Sequence, residues 1–318
     1  MSEKIKKNIL LSVAIGGALY LALTIYADFD KVLMVFSRFN WYLFPLLLAL
    51  SFTNYIMRFV KWHYYLGLLK IKVGIGDSFS IFMSGLVMSV TPGKMGELLK
   101  SYLLKQIKNE PISKTAPIIF AERVTDFISL VMLAIVGAYS FDYGKPIIIS
   151  VGVFFIGTVV LISQRNFVHK LLEFCKKVPF LDKNSDKLYN AYESAYIMLT
   201  FVPLLKMVII SLFSWFFECL GYYIILYNFG VHIEPLRSSF FYAFGTIVGA
   251  ISMLPGGLGV TEGSLTFLVQ RLGYAKDIAI ASTFLIRIVT LWFAVLVGII
   301  SVTLFQRRYG KILTETIE

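Results

Sequence analysis

Long apolar runs separated by short charged stretches organise this chain of 318 residues. Runs at about 8–27, 41–60, 117–140, 146–163, 203–227 and 279–304 each approach the roughly 20 apolar residues that cross a bilayer. Their apolar residues do not alternate with polar ones, so they predict helices and not the strands of a barrel. Two further apolar segments are broken near the middle: 78–104 by Pro92-Gly93, and 238–270 by Pro255-Gly256-Gly257. Pro and Gly there remove helical hydrogen bonds and permit a sharp turn. Each half is too short to span, so both segments predict re-entrant hairpins enclosed by protein or a wet cavity. The expected fold is an all-α polytopic membrane protein with about six transmembrane helices and two broken hairpins.

Charge orients these elements. With the N-terminus in the cytoplasm, 22 Lys and Arg fall in cytoplasmic segments and 6 in external ones, while Arg123 and Arg287 lie inside spans. That bias predicts both termini on the cytoplasmic side of the inner membrane. The first run follows Lys4, Lys6 and Lys7 and shows no clear small-residue cleavage site, so it reads as a retained signal-anchor. Between 164 and 200, Lys170, Lys176, Lys177, Lys183 and Lys187 mix with Leu171, Leu172, Phe174, Val178, Phe180 and Leu181, as in amphipathic helices lying on an anionic leaflet.

Composition excludes a soluble domain of this size: 58% of residues are hydrophobic and 15% charged, where soluble proteins carry about 25%. The net charge of +11 sits at the flanks of apolar runs, which points to anionic lipid and not to nucleic acid. Cys175 and Cys219 carry no pattern, and His63, His169 and His232 are scattered, so no metal, cofactor or disulfide is expected. No nucleophile–His pairing or zinc spacing is visible. The chain is expected not to be an enzyme and to have no catalytic residues.

The broken segments resemble each other. Ser89-Val-Thr-Pro-Gly-Lys-Met-Gly-Glu97 matches Ser252-Met-Leu-Pro-Gly-Gly-Leu-Gly-Val-Thr-Glu262, with Pro92 and Pro255, and Gly96 and Gly259, both 163 residues apart. Downstream, Arg123 and Arg287 are 164 apart. One membrane domain, 1–318, then divides into an N-terminal helix (1–40), repeat 1 (41–140), a connecting span and amphipathic cytoplasmic segment (141–202), repeat 2 (203–304) and a cytoplasmic tail (305–318). The two repeats would enter from opposite sides. Inverted repeats with broken helices are the architecture of many transporters, with the site at their interface.

Ionisable groups inside a membrane are functional candidates by default. Glu122-Arg123-Val-Thr-Asp126 is the densest set; Arg123 and Asp126 share a helix face, as do Glu122 and Asp126. Arg123 and Arg287 are expected to clamp a phosphate, for which the guanidinium fork is suited. Backbone N–H groups at Gly93, Lys94 and Gly96, and at Gly256, Gly257 and Gly259, would add helix N-termini for the same anion. Glu97 and Glu262 either cap those helix starts, pair with the arginines or bind protons that drive transport, and Asp126 helps orient the arginines. Lys100 reads as a topology or guiding charge, and Glu218 as an isolated acid in an apolar helix.

The motifs Pro92-Gly93-x-x-Gly96-Glu97, Glu122-Arg123-x-x-Asp126 and Leu254-Pro255-Gly256-Gly257-Leu258-Gly259-Val260-x-Glu262, in this order, resemble the flippase-like transmembrane region of bacterial lysylphosphatidylglycerol synthases. The resemblance covers nearly the whole chain. It implies movement of a lipid between leaflets; in the two-domain enzymes a soluble aminoacyl-transferase domain follows. This sequence ends at Glu318 without one, so lipid aminoacylation is not expected of it. The expected function is a flippase or scramblase for an anionic phospholipid or lipid-linked phosphate. Its partners are phosphate-headgroup lipids, with a homo-oligomer left open. A membrane enzyme subunit acting on lipid-linked sugar, or a small-solute transporter, are the rival readings.

Overall fold

The computed structural model describes residues 29–91, 96–138, 145–166, 168 and 185–310. The run at 8–27, the Pro92-Gly93-Lys94-Met95 turn, His169, Cys175, most of the basic amphipathic segment and the last eight residues lie outside the described residues.

All described regular elements are helical. A short α1 (Phe29–Ser37) precedes a 3-10 turn at Trp41–Leu43, where the Asn40 side chain accepts the Tyr42 N–H at 3.2 Å. Then come α2 (Phe44–Leu68), α3 (Ile75–Gly85, continued as a 3-10 turn over Leu86–Val90), α4 (Leu99–Lys108) and α5 (Ile112–Ala138). After α6 (Lys145–Ser163) and α7 (Ser185–Leu199) follow α8 (Phe201–Asn228), α9 (Pro235–Ile251), a 3-10 turn at Pro255–Gly257, and α10 (Val260–Arg271). Finally α11 (Lys276–Arg287) runs through a π-helical turn (Ile288–Trp292) into α12 (Phe293–Tyr309). Among the described residues, four helical stretches are long and apolar enough to cross a membrane: Trp41–Leu68, Pro146–Ser163, Phe201–Asn228 and Lys276–Tyr309. α5, where the 117–140 span was expected, has 27 residues but carries Lys114, Glu122, Arg123 and Asp126.

The sequence repeat is also a repeat of geometry. At the end of α2, the Leu69, Lys70 and Ile71 N–H groups donate to Tyr65, Gly67 and Leu66 carbonyls; at the end of α8, Phe229, Gly230 and Val231 donate to Ile225, Tyr227 and Leu226. Every partner is shifted by 160 positions, and both turns use a left-handed residue, Lys70 (φ 59°) and Gly230 (φ 80°). The elements then recur in order: α2, α3, α4, α5 against α8, α9, α10 and α11–α12.

α2 and α8 cross at equivalent residues. Asn54 Nδ2 donates to the Ser214 carbonyl at 2.9 Å, and Ser214 Oγ donates to the Asn54 carbonyl at 3.3 Å. To one side a Cβ on Gly221 would lie 3.9 Å from Leu47 and Leu50; to the other, Lys61 Nζ reaches Ser211. Numbers rise along one helix as they fall along the other, so the pair is antiparallel about a local two-fold axis.

The same symmetry exchanges the hairpins. α3 and its 3-10 extension lie on α12, while α9 lies on α5. Each contact is closed by a glycine. A Cβ on Gly298 would strike the Leu86–Val87 backbone, and one on Gly137 would strike the Leu236 carbonyl and Phe240. Close approach through small residues is how helices gain van der Waals contact where lipid removes the hydrophobic drive between them. Val90, at the end of the 3-10 extension of α3, and Leu258, after the Pro255–Gly257 turn, meet Leu291 and Val295 in a small cluster. Outward-facing Val153, Phe154, Ile156, Phe213 and Leu296 leave an apolar exterior suited to acyl chains.

Candidate functional site

The two repeats each tie the second half of the hairpin to the following long helix with a Glu–Arg pair. In repeat 1, Glu97, one residue past Gly96, pairs with Arg123 of α5. In repeat 2, Glu262 of α10 pairs through Oε1 with Arg287 Nε at 2.7 Å. Both glutamates are buried. Glu97 takes the pairing role, and the Gly96 N–H goes to Thr91 Oγ1 at 3.0 Å. Glu262 both pairs and caps: its Oε2 also accepts the Gly259 N–H at 2.7 Å, closing the start of α10.

Arg287 is built into the turn. Its Nη2 donates to the Gly256 carbonyl at 2.5 Å while Nε holds Glu262. Gly256, Gly257 and Gly259 all have positive φ (61°, 67° and 86°), which L side chains rarely adopt, so this turn needs glycine. The π-helical turn begins directly after Arg287. π-turns in α-helices often mark functional sites.

Arg123 sits differently. Its side chain is 20% exposed against 10% for Arg287, and its Nε has no hydrogen-bond partner. Around it lies a dense buried ion network. Lys100 Nζ is 2.6 Å from Glu122 Oε2 and 3.8 Å from Glu97 Oε2, and it lies over the Trp62 and Phe82 rings at 4.9 and 5.1 Å. Arg58 approaches Glu97 at 3.7 Å. Lys61 Nζ donates to Asp126 Oδ1 at 2.6 Å and to Ser211 Oγ, which itself donates to Asp126 at 2.9 Å. Glu122 Oε1 and Asp126 Oδ2 are buried without a hydrogen-bond partner. Of the cations in this network, Arg123 alone is more than one-tenth exposed.

Three of these cations correct the sequence reading. Arg58 and Lys61 fall in the segment counted as cytoplasmic, yet both are buried inside α2, which continues to Leu68. Lys100 is not an interfacial guide: it is 2% exposed and paired. Asp126 takes Lys61 and Ser211 as its hydrogen-bond partners, although it shares a helix face with Arg123. The signal was available in α2, where Asn54, Arg58, Lys61 and Tyr65 recur at helical spacing and form one buried stripe through an apolar helix. Glu218 occupies the position in α8 that Arg58 occupies in α2, 160 residues earlier; it is buried and accepts the Tyr242 hydroxyl at 2.6 Å.

The expected backbone donors are mostly engaged. Gly96 and Gly259 N–H groups are taken as described, and Gly257 N–H donates to the Leu254 carbonyl at 2.9 Å. Gly93 and Lys94 fall outside the described residues. Among the described residues no group of three or more His, Cys, Asp or Glu is placed to hold a metal ion.

Comparison with known proteins places the chain among membrane proteins. Residues 9–298 match the model of the lysylphosphatidylglycerol synthase TM region. UPF0104 membrane protein MJ1078 of Methanocaldococcus jannaschii is 28% identical over 70% of this chain and 95% of its own length. UPF0104 membrane protein PH1989 of Pyrococcus horikoshii is 26% identical over 91% of this chain and 94% of its own. A UPF0104 membrane protein of Methanothermobacter thermautotrophicus is 23% identical over 80% and 83%. With nine-tenths of its length covered by that model, the chain belongs to the lysylphosphatidylglycerol synthase TM region family.

Proposed function

We propose that the protein carries anionic lipid headgroups between the leaflets of the cytoplasmic membrane, as a flippase or scramblase. The observation that carries this reading is the Glu97–Arg123 pair: a partly exposed guanidinium with an unpartnered Nε, held among buried Arg58, Lys61 and Lys100. A phosphodiester offers the acceptor oxygens such a group takes bidentately. The antiparallel α2–α8 crossing and the exchanged hairpins support two repeats inverted across the bilayer, with the hairpins re-entrant and the cavity between them.

In this reading Arg123 takes the phosphate, and Glu97 holds Arg123 while the cavity is empty. Arg287 keeps the opposite hairpin closed through Gly256 and Glu262, so the headgroup moves against a fixed wall. Acyl chains stay in lipid along the apolar exterior. The family name attaches the region to an enzyme named for lysylphosphatidylglycerol, in keeping with a phosphate lipid as cargo.

The test is lipid flipping in proteoliposomes, with fluorescent phosphatidylglycerol and a membrane-impermeant quencher. Wild type should expose label from the inner leaflet. Arg123→Ala should slow this about tenfold or more, the value of a lost charge-assisted hydrogen bond. Wild-type vesicles no faster than empty ones, for phosphatidylglycerol and for a polyprenyl phosphate, would refute the reading.

A further inference from the structure

The charged groups that meet in the described interior are balanced. The cations are Arg58, Lys61, Lys100 and Arg287, all buried, and Arg123, one-fifth exposed, five in all. The carboxylates are Glu97, Glu122, Asp126, Glu218 and Glu262, also five. An anionic headgroup arriving on Arg123 would leave this interior with one uncompensated negative charge. Such a charge is costly in a low-dielectric interior. It would also displace Glu97 from its closest cation.

We infer that the headgroup enters together with one proton, taken up by the Glu97 carboxylate as the phosphate replaces it on Arg123. This rests on the lipid-carrying reading above and adds its coupling. In the step, the Glu97–Arg123 ion pair breaks, a phosphate–Arg123 pair forms, and a proton from the medium neutralises Glu97. Leaving reverses it: the phosphate departs, Glu97 loses the proton and pairs with Arg123 again. The interior is neutral at both ends of the cycle.

Glu97 is the group placed for this. Among the described residues it pairs with Arg58 from α2, Lys100 from α4 and Arg123 from α5, and Lys61, Glu122 and Asp126 belong to the same buried ion network. Lys100 is committed to Glu122 and Lys61 to Asp126, both at 2.6 Å. Arg58 and Lys100 stand 3.7 and 3.8 Å from Glu97. From α3 comes only Asp77, drawn to the other end by Tyr309 and Arg308 of α12. Glu122 and Asp126 keep their lysines when the phosphate binds, whereas Glu97 loses its arginine. Glu262, its counterpart, remains fixed by Arg287 and the Gly259 N–H.

The experiment uses full-length protein in phosphatidylcholine vesicles with trace fluorescent phosphatidylglycerol, under an imposed pH gradient. One proton per lipid accumulates label in the leaflet facing the alkaline side, up to about tenfold per pH unit. A potassium diffusion potential alone leaves the wild-type distribution even, because lipid plus proton carries no charge. Glu97→Gln is expected to flip more slowly, to lose the pH-driven bias and to become biased by the potential. Glu97→Asp keeps a carboxyl and retains the pH bias, as does Glu110→Gln at the partly exposed pair with Lys114. Rapid wild-type flipping with equal leaflets under the gradient overturns the coupling and leaves lipid carrying intact. A pH bias that survives in Glu97→Gln overturns the assignment to Glu97. No wild-type flipping at all removes the lipid-carrying reading, and this inference with it.

Discussion

The two Glu–Arg pairs occupy equivalent places, yet their surroundings differ. Arg287 spans Glu262 and the Gly256 carbonyl, inside a turn that also holds the Gly259 N–H. Arg123 meets a glutamate that Arg58 and Lys100 also approach, and keeps one buried donor without a partner. One copy of the motif is a fastening, with its hydrogen bonds spent on the chain itself. The other shares its carboxylate among three cations, and in the proposed reading its arginine exchanges that carboxylate for a phosphate. Both copies of the motif carry the same pair, and their neighbours differ.

The largest effect follows from the fastened copy. Arg287→Ala leaves Glu262 buried and unpaired and frees the turn carbonyl, a change worth about 3–5 kcal/mol. Unfolding in detergent should show it as a large drop in melting temperature, with poor recovery of folded protein. Arg123→Ala should cost less, about 1–2 kcal/mol, because Glu97 retains Arg58 and Lys100 as neighbours. Its main consequence should be lost flipping. Equal destabilisation by the two substitutions would sink the contrast.

Next come the exchanged hairpins. Gly298→Ala places a methyl against the Leu86–Val87 backbone, and Gly137→Ala against the Leu236 carbonyl and Phe240. Backbone cannot step aside as a flexible side chain does, so each should cost about 1–3 kcal/mol by overpacking. The repeats predict comparable losses from both, read by thermal unfolding. A loss at one position and none at the other would mean that the hairpins are not held equivalently.

How much of this was legible depends on the range over which each feature is encoded. The broken segments and the Glu–Arg pairing could be read because Pro92 and Pro255, and Arg123 and Arg287, keep nearly constant spacing and break local apolar runs. The buried network could not be read the same way. Arg58, Lys61 and Lys100 look like topology charges because they stand near the ends of apolar runs, and a tally by segment ignores helix phase. Whether such a lysine meets water or an aspartate depends on where the helix ends, and α2 runs eight residues past the expected boundary at 60. Asp126 draws its partners from α2 and α8, 65 and 85 residues away, a relation that spacing on one helix does not contain. The π-helical turn after Arg287 has no local sequence mark at all.

The smallest effects lie on the symmetry axis, where the comparison is sharpest because the two residues touch. Asn54 and Ser214 occupy equivalent positions, and each donates to the carbonyl of the other. The bonds are unequal: 2.9 Å from the asparagine amide and 3.3 Å from the serine hydroxyl. Asn54→Ala should therefore cost about 1 kcal/mol and Ser214→Ala about half that, within the ordinary range for a buried hydrogen bond. Each substitution removes one donor and leaves the other bond's backbone acceptor in place, so the double substitution measures how far the two bonds depend on each other. Strong coupling between them in denaturant unfolding would show that the crossing rearranges as a unit once either bond is lost. α2 and α8 would then be held by the pair and not by the apolar contacts on either side. Additivity would instead leave the crossing fixed by packing around Leu47, Leu50 and Gly221, so that the hairpins can move without separating the two helices that carry them.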